Sequence, residues 1–343
     1  MFRSSTESAN HVDNGNNSQA DTVLLSADAV EMRFASRKSL FSRSSSSVVA
    51  VDGVSFTLSS GEALGLVGES GCGKSTLARI SAGLYKPTSG IVRLDGKDIN
   101  SMSRKRRKQF HRQVQIVFQD PFASLDPRRS ILEIITEPLR IHRIGNRKSQ
   151  RERAIDLLQD VGLDEEVLDR LPRDFSGGQR QRISIARSLA LEPAVLILDE
   201  PVSALDVSVQ AQFLNLLQGL KERLNVSYLL ISHDLAVVSL VADRVAVMYL
   251  GRIVEVGRTE DIFTKPTHPY TAALISASPE RSGETGGAKR IILEGDPPDP
   301  ANPPSGCSFR TRCWKAAEKC ASEKPMLVER RDGQASACHY PEL

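Results

Sequence analysis

Gly68-Glu69-Ser70-Gly71-Cys72-Gly73-Lys74-Ser75 follows the apolar run Ala63–Val67 directly and opens a helical pattern that runs from Lys74 to Leu84. Strand, glycine-rich loop and helix is the order in which a backbone can wrap around phosphate oxygens. Glycine admits the tight turns, and exposed N–H groups together with the helix N-terminus favour negative charge. In the pattern G-x-x-x-x-G-K-[ST], residues Gly68, Glu69, Ser70, Gly71, Cys72 and Gly73 form the cradle. Lys74 reaches the β- and γ-phosphates, and Ser75, with Thr76 behind it, stands where Mg²⁺ is held. A glycine-rich turn that matches by accident is the bland alternative, and the strand–loop–helix setting weighs against it. Cys72 reads as a small filler within the loop.

Outward from this loop, strand and helix alternate. Val51–Leu58 precedes it, and Ala194–Leu198, Val209–Leu224, Tyr228–Ile231 and Val245–Tyr249 follow much later. Such alternation points to an α/β fold with a parallel sheet covered on both faces. Between the two groups, about 121–190, proline, glycine and charge punctuate short helical patterns, which predicts a small helical subdomain. Residues 1–22, rich in Ser, Asn and Asp, read as a disordered tail. The insert Ser42-Arg43-Ser44-Ser45-Ser46-Ser47 reads as a surface loop. The body is 23–263, and residues 264–343, with many prolines and glycines and four cysteines, read as an appended small domain.

Composition narrows the function classes. With 343 residues, 40% hydrophobic and 25% charged, the chain can bury a core, and disorder throughout is excluded. Lys+Arg 45 against Asp+Glu 42 leaves a net charge of +3, too little to argue for nucleic acid by itself. No run approaches the ~18–20 uncharged apolar residues of a membrane span, and no signal-peptide segment opens the chain. The expectation is a cytosolic chain that makes no path through a bilayer by itself. The basic run Arg104-Lys105-Arg106-Arg107-Lys108, with Arg112, reads as a solvated face, and after that as a neighbour of the membrane surface.

Two more strands end in reactive groups. Ala194-Val195-Leu196-Ile197-Leu198-Asp199-Glu200 is a buried-strand run that exits through two carboxylates. At a sheet edge beside the phosphate loop, Asp199 can hold Mg²⁺ through water, and Glu200 can polarise an attacking water. Alone, an acidic strand end is only a turn; beside a phosphate loop it reads as catalytic. Tyr228-Leu229-Leu230-Ile231-Ser232-His233-Asp234 brings His233 out of a neighbouring strand, where it can sense a γ-phosphate. Phe175-Ser176-Gly177-Gly178-Gln179 opens an amphipathic helix with Ser176 as its N-cap. Its bare glycines leave the helix N-terminus open to an anion, a second phosphate site in a chain with one phosphate loop.

The order of phosphate loop, Gln119, Ser176-Gly177-Gly178-Gln179, Asp199-Glu200, Ser203-Ala204-Leu205-Asp206 and His233 resembles the ATP-binding subunit of ABC transporters, over about residues 24–260. The resemblance implies a P-loop NTPase with a RecA-like parallel sheet core, an ABC helical subdomain and a small cysteine-containing C-terminal extension. It implies that Gln119 contacts Mg²⁺ and nucleotide while facing the membrane subunits. Asp206 would lie in the loop that crosses between two ATPase subunits, each ATP lying between one phosphate loop and the other chain's Ser176 helix. An aromatic upstream stacks on adenine in this family; Phe34 is preferred over Phe41, which abuts the serine insert. Phe175 stands where Leu is commoner, a minor departure.

Val117-Phe118-Gln119-Asp120-Pro121-Phe122-Ala123-Ser124-Leu125-Asp126-Pro127-Arg128, His268-Pro269-Tyr270-Thr271 and the C-terminal cysteines resemble the oligopeptide/dipeptide permease branch, which nickel and glutathione importers share. The assembly this implies has two transmembrane permeases, a second ATPase subunit that is a sibling or an identical copy, and an extracytoplasmic solute-binding protein. The chain would sit peripherally on the cytoplasmic face of the membrane, with no nucleic acid partner. A soluble ABC-type ATPase acting on DNA or ribosomes is the competing class. Pro127, Pro138, Gly145 and Pro172 break the interval where a DNA-repair member would carry a coiled coil. Cys307, Cys313, Cys320 and Cys338 fit no common zinc or ferredoxin spacing. The branch implies a [4Fe–4S] centre there; structural zinc and four unliganded thiols are the other two readings.

Overall fold

The computed structural model describes residues 22–35, 47–120, 124–203, 205–277 and 290–342. The tail at 1–21, Phe41, residues 42–46 of the serine insert, Pro121, Phe122, Ala123 and Ala204 lie outside the described residues. The strands are β1 (Val23–Ala35), β2 (Ser47–Ser59), β3 (Ala63–Val67), β4 (Ser89–Leu94), β5 (Lys97–Asp98) and β6 (Val114–Val117), then β7 (Val195–Asp199), β8 (Ser227–Ser232), β9 (Arg244–Tyr249), β10 (Arg252–Arg258), β11 (Val328–Arg331) and β12 (Gln334–Ser336). They form two sheets, β2-β1-β4-β5 and β11-β12-β10-β9-β3-β8-β7-β6.

β3, β7 and β8 are buried at every position, the signature of parallel strands covered on both faces. β3 pairs parallel with β8 from Ala63↔Tyr228 to Val67↔Ser232, and β7 with β8 from Val195↔Ser227 to Asp199↔Ile231. β6 joins β7 and β9 joins β3 in the same direction. All five strands therefore end at one edge of the sheet, and the segments that follow β3, β6, β7 and β8 leave from that edge together.

Two apolar layers hold the sheet. On one face, Leu25, Val30 and Leu58 of the antiparallel sheet pack with Leu64, Leu66, Leu77 and Ile80. On the other lie the helices α3 (Ile131–His142), α4 (Arg147–Asp160) and α5 (Gly177–Leu189), whose Ile135, Leu157 and Ile183 join Leu196 and Leu198. Ahead of them in the chain come α1 (Lys74–Ser81) and α2 (Arg104–Gln113), and after them α6 (Val207–Leu224). Reciprocal caps start the helical stretch: the Ser130 hydroxyl accepts from the Glu133 amide, and Glu133 accepts from the Ser130 amide.

The stretch from 264 onward is joined to this body rather than set apart from it. Tyr270, Ile275 and Phe309 lie in the same apolar cluster as Leu196 and Leu230, and β12 extends the main sheet beyond β10 through Glu255↔Ser336 and Val256↔Ala335. The join rests on a buried carboxylate. Glu255, 0% exposed, accepts hydrogen bonds from the Thr267 amide and hydroxyl (both 2.7 Å), the His268 amide (3.0 Å) and Gln334 Nε2 (2.8 Å). His268 in turn uses its ring: Nδ1 accepts from the Tyr270 amide at 3.1 Å, capping the helix Pro269–Ser276.

Two measurements test this join. A carboxylate satisfied by four donors cannot be replaced by an amide without turning an NH₂ toward one of them. Glu255→Gln is expected to lower the unfolding free energy by about 3 kcal/mol in urea titration, the scale of a lost charge-assisted bond plus an unsatisfied buried group. Burial pushes the His268 imidazole down from 6.5 to about 3, against a backbone hydrogen bond at Ala337 that favours the charged ring. The unfolded chain therefore takes up a proton that the folded chain refuses. Stability from this group is complete above pH 6.5 and is lost as pH falls toward 3. The thermal midpoint should drop between pH 7 and pH 5, and drop less in His268→Asn.

Candidate active site

The phosphate loop is shaped by two close backbone approaches. A Cβ on Gly73, at φ 108°, would stand 2.0 Å from the Ala50 carbonyl oxygen, and one on Gly68 would stand 2.1 Å from that of Met248. Only glycine fits either place. Lys74 is 4% exposed, and its ammonium donates to the carbonyl oxygens of Gly68 (2.7 Å) and Glu69 (3.0 Å). Cys72 is buried with Sγ 3.9 Å from Lys74 Nζ. Burial pushes its thiol up, opposed by the Lys74 charge, so it stays a protonated filler. Two loop amides are already committed: that of Glu69 donates to Tyr270 Oη at 2.9 Å, and that of Cys72 to the Glu69 carbonyl at 3.3 Å.

Across the sheet edge, Ser75 Oγ donates to Asp199 Oδ1 at 2.8 Å. Asp199 is 2% exposed; burial pushes its carboxyl up, and the Ser75 bond and the Arg79 and Lys74 charges draw it back. Ser75 lies in the first turn of α1, where Thr76 follows it, and Asp199 ends β7. These are oxygen donors suited to a hard cation such as Mg²⁺. Glu200 leaves the strand in the left-handed region, φ 48°, with its amide bonded to Ile231 O at 3.0 Å. That turn swings its side chain to Gln119, whose Nε2 donates to Glu200 Oε2 at 2.8 Å, and to His233, whose Nδ1 lies 3.4 Å from the same oxygen. Gln119, Glu200 and His233, three separate segments in sequence, thus converge on one carboxylate oxygen. A carboxylate so held can accept a proton from a water.

Ser176, Gly177, Gly178 and Gln179 open α5 as a reciprocal cap. The Ser176 hydroxyl accepts from the Gln179 amide at 3.3 Å, and Gln179 Oε1 accepts from the Ser176 amide at 3.0 Å. Asp206 caps α6 in the same manner, accepting from the Val209 amide (3.0 Å) and Ser208 Oγ (2.7 Å), bonds that hold its carboxyl below the usual range. The two helix starts touch, since a Cβ on Gly178 would lie 2.5 Å from Val209 Cγ1. Among the described residues no hydrogen bond joins the Ser176 cap to the phosphate loop of the same chain. Phe34 sits at the end of β1, 38% exposed, edge-on to Tyr85 with ring centres 6.1 Å apart.

Cys307, Cys313, Cys320 and Cys338 are free thiols, and the described residues contain no set of three His, Cys, Asp or Glu that could hold a metal ion. Burial pushes the thiols of Cys307 and Cys313 up, and that of Cys338 up to about 11, and the neighbouring cysteines raise each of them further. Neither a [4Fe–4S] centre nor a structural zinc is shown at these cysteines. What the motif reading missed is Arg312, lying among those cysteines, whose Nη1 donates to both carboxylate oxygens of Glu69 at 3.0 and 2.8 Å. Tyr270 was legible only as part of the His268-Pro269-Tyr270-Thr271 stretch; its bond to the loop depends on tertiary packing.

Residues 51–203 match the ABC transporter family, and residues 254–320 match the oligopeptide/dipeptide transporter C-terminal region. The dipeptide transport ATP-binding protein DppF of Haemophilus influenzae is 48% identical, over 95% of this chain and 99% of its own length. The oligopeptide transport ATP-binding protein AppF of Bacillus subtilis is 48% identical over 93% of this chain and 97% of its own. Among solved structures, an ATP-binding cassette captured as a dimer after hydrolysis, bound to ADP and phosphate, superposes with a TM-score of 0.61 at 27% identity. It covers 69% of this chain and 99% of that one.

The contact between the two helix starts can be tested directly. Gly178→Ala places a methyl into Val209 and is expected to cost about 1–3 kcal/mol of unfolding free energy, the range for overpacking. Val209→Ala in the same chain removes the opposing methyls and should return most of that loss in the same denaturation assay.

Proposed function

This chain belongs to the ATP-binding proteins of ABC transporters, in their dipeptide and oligopeptide branch, and from that premise we propose how its residues turn over ATP to drive peptide import. The observation that carries the reading is the convergence at one sheet edge. The Ser75–Asp199 contact and the Gln119–Glu200–His233 group leave the ends of neighbouring strands beside Lys74. The peptide class is supported by the C-terminal region and by the relatives named as dipeptide and oligopeptide transport proteins.

In this reading the loop Gly68, Glu69, Ser70, Gly71, Cys72, Gly73 surrounds the phosphates, and the Lys74 ammonium exchanges its carbonyl partners for β- and γ-phosphate oxygens. Ser75 and Asp199, with Gln119, hold Mg²⁺, which neutralises charge on those oxygens when bound. Glu200 orients a water and takes its proton as the water oxygen bonds to the γ-phosphorus and the bridge to the β-phosphate breaks, releasing ADP and phosphate. His233 hydrogen-bonds the γ-phosphoryl group, so the Glu200 carboxylate is held between the sensor and Gln119. Thr76 follows Ser75 into α1, and Phe34 offers a partly exposed ring to adenine.

The Ser176 cap and Asp206 act across a pair of ATPase subunits, siblings or identical copies, so that ATP favours the closed pair and its hydrolysis releases it. Two membrane permeases and an extracytoplasmic solute-binding protein complete the assembly, with this chain peripheral on the cytoplasmic face. No helix of the described residues is long and apolar enough to cross a membrane, which accords with that placement.

Glu200→Gln separates binding from chemistry. In the assembled transporter it should lower ATP hydrolysis by about 100-fold or more, the contribution of a general base, while ATP affinity changes by less than about threefold. Unchanged turnover in that variant would remove Glu200 from the mechanism.

A further inference from the structure

Among the described residues, the C-terminal extension hydrogen-bonds the phosphate loop at Glu69 with two side chains. Arg312, 8% exposed, donates from Nη1 to both carboxylate oxygens of Glu69 at 3.0 and 2.8 Å. Tyr270, fully buried, accepts the Glu69 amide on its hydroxyl at 2.9 Å. The third polar group of Glu69, its carbonyl, accepts the Lys74 ammonium at 3.0 Å. Glu69 is thus the residue through which the extension meets the lysine that the ATP reading assigns to the β- and γ-phosphates.

The two contacts are held firmly. The Tyr270 ring packs at 4.7 Å from that of Tyr249, on the strand beside β3, and at 5.3 Å from Phe309, three residues before Arg312. Phe309 also stands edge-on to Tyr249 at 5.2 Å. The aromatic group ties the extension to the core sheet directly behind the loop, so neither Tyr270 nor Arg312 is a loose surface side chain.

A carboxylate in a loop that receives a polyanion repels its ligand unless a cation takes up its charge. We propose that Arg312 and Tyr270 are positioning residues for ATP. Arg312 neutralises Glu69 and turns its carboxylate out of the phosphate site, and Tyr270 anchors the amide of the same residue. The C-terminal extension thereby sets the affinity of the nucleotide loop, a role beyond any contact with the permeases. This rests on the ATP reading above.

The test uses the full-length chain for equilibrium binding of Mg–ATP and the transporter assembled on it for KM and kcat. Arg312→Gln leaves the Glu69 carboxylate unpaired and should raise both Kd and KM for ATP about 10-fold, the lower end for a charge-assisted bond, with kcat within about twofold. Glu69→Gln combined with Arg312→Gln removes the stranded charge and should return Kd to within about threefold of wild type. A role confined to packing the extension would not be relieved by a change in the loop. Wild-type affinity in Arg312→Gln, or a double variant as weak as the single one, overturns the proposal. Should Arg312→Gln fail to fold, Tyr270→Phe, which removes one hydroxyl, carries the same measurement: an affinity loss of about threefold or more supports the proposal, and an unchanged Kd overturns it. A wild-type chain that binds no ATP overturns the ATP reading itself, whereas one that binds ATP and is indifferent to Arg312 overturns this inference alone.

Discussion

The parallel pairing of β3 with β8, and of β8 with β7, is the constraint on which the site depends. Because Ala63 lies against Tyr228 and Val195 against Ser227, the three strands run flush and finish together. A parallel sheet buried on both faces sends every connection over the outside and every strand end to the same edge. The phosphate loop, Asp199-Glu200 and His233 are therefore neighbours without any local signal directing them to meet. Slipping one strand by a residue would turn its side chains to the opposite layer and take the site apart along with the core.

At that edge the geometry separates two carboxylates of adjacent number. Asp199 is the last residue of its strand, buried and hydrogen-bonded to Ser75, while Glu200 turns through a left-handed backbone toward Gln119 and His233. One step along the chain thus sends two adjacent carboxylates to different partners, Asp199 to Ser75 and Glu200 to Gln119 and His233. Such a conformation at a non-glycine residue costs energy that the surrounding hydrogen bonds must offset. Here the Glu200 amide is tied to Ile231 and its carbonyl accepts from the Ser203 hydroxyl at 3.1 Å.

The C-terminal extension shows how a stretch rich in turns is held by a few buried polar groups. Glu255 gathers four donors from Thr267, His268 and Gln334, and Glu69 gathers Arg312 and Tyr270. The Glu255 carboxylate receives all four, whereas Glu69 accepts Arg312 on its carboxylate and donates its amide to the Tyr270 hydroxyl. A buried carboxylate such as Glu255 is costly unless satisfied, so its four donors favour one way for the extension to dock. Rigid docking makes the extension part of the nucleotide site's surroundings.

The phosphate loop, the acidic strand end, the histidine strand and the capped glycine helix were all legible in the sequence, because each is a local motif whose chemistry needs neighbours in the chain. The fold class followed from their order, since strand–helix alternation admits few topologies. Local pattern could not say that Arg312 would reach Glu69, or that Tyr270 would take its amide, since these partners are separated by most of the chain and share no periodicity. Nor could it say whether the four clustered cysteines hold a metal, for spacing in sequence does not fix how the sulfur atoms face one another; among the described residues no metal-holding group is found. Motifs record what a short segment can do. Which segments meet, and with which charges facing, is decided by the packing of buried strands and helices, and that is a property of the whole chain.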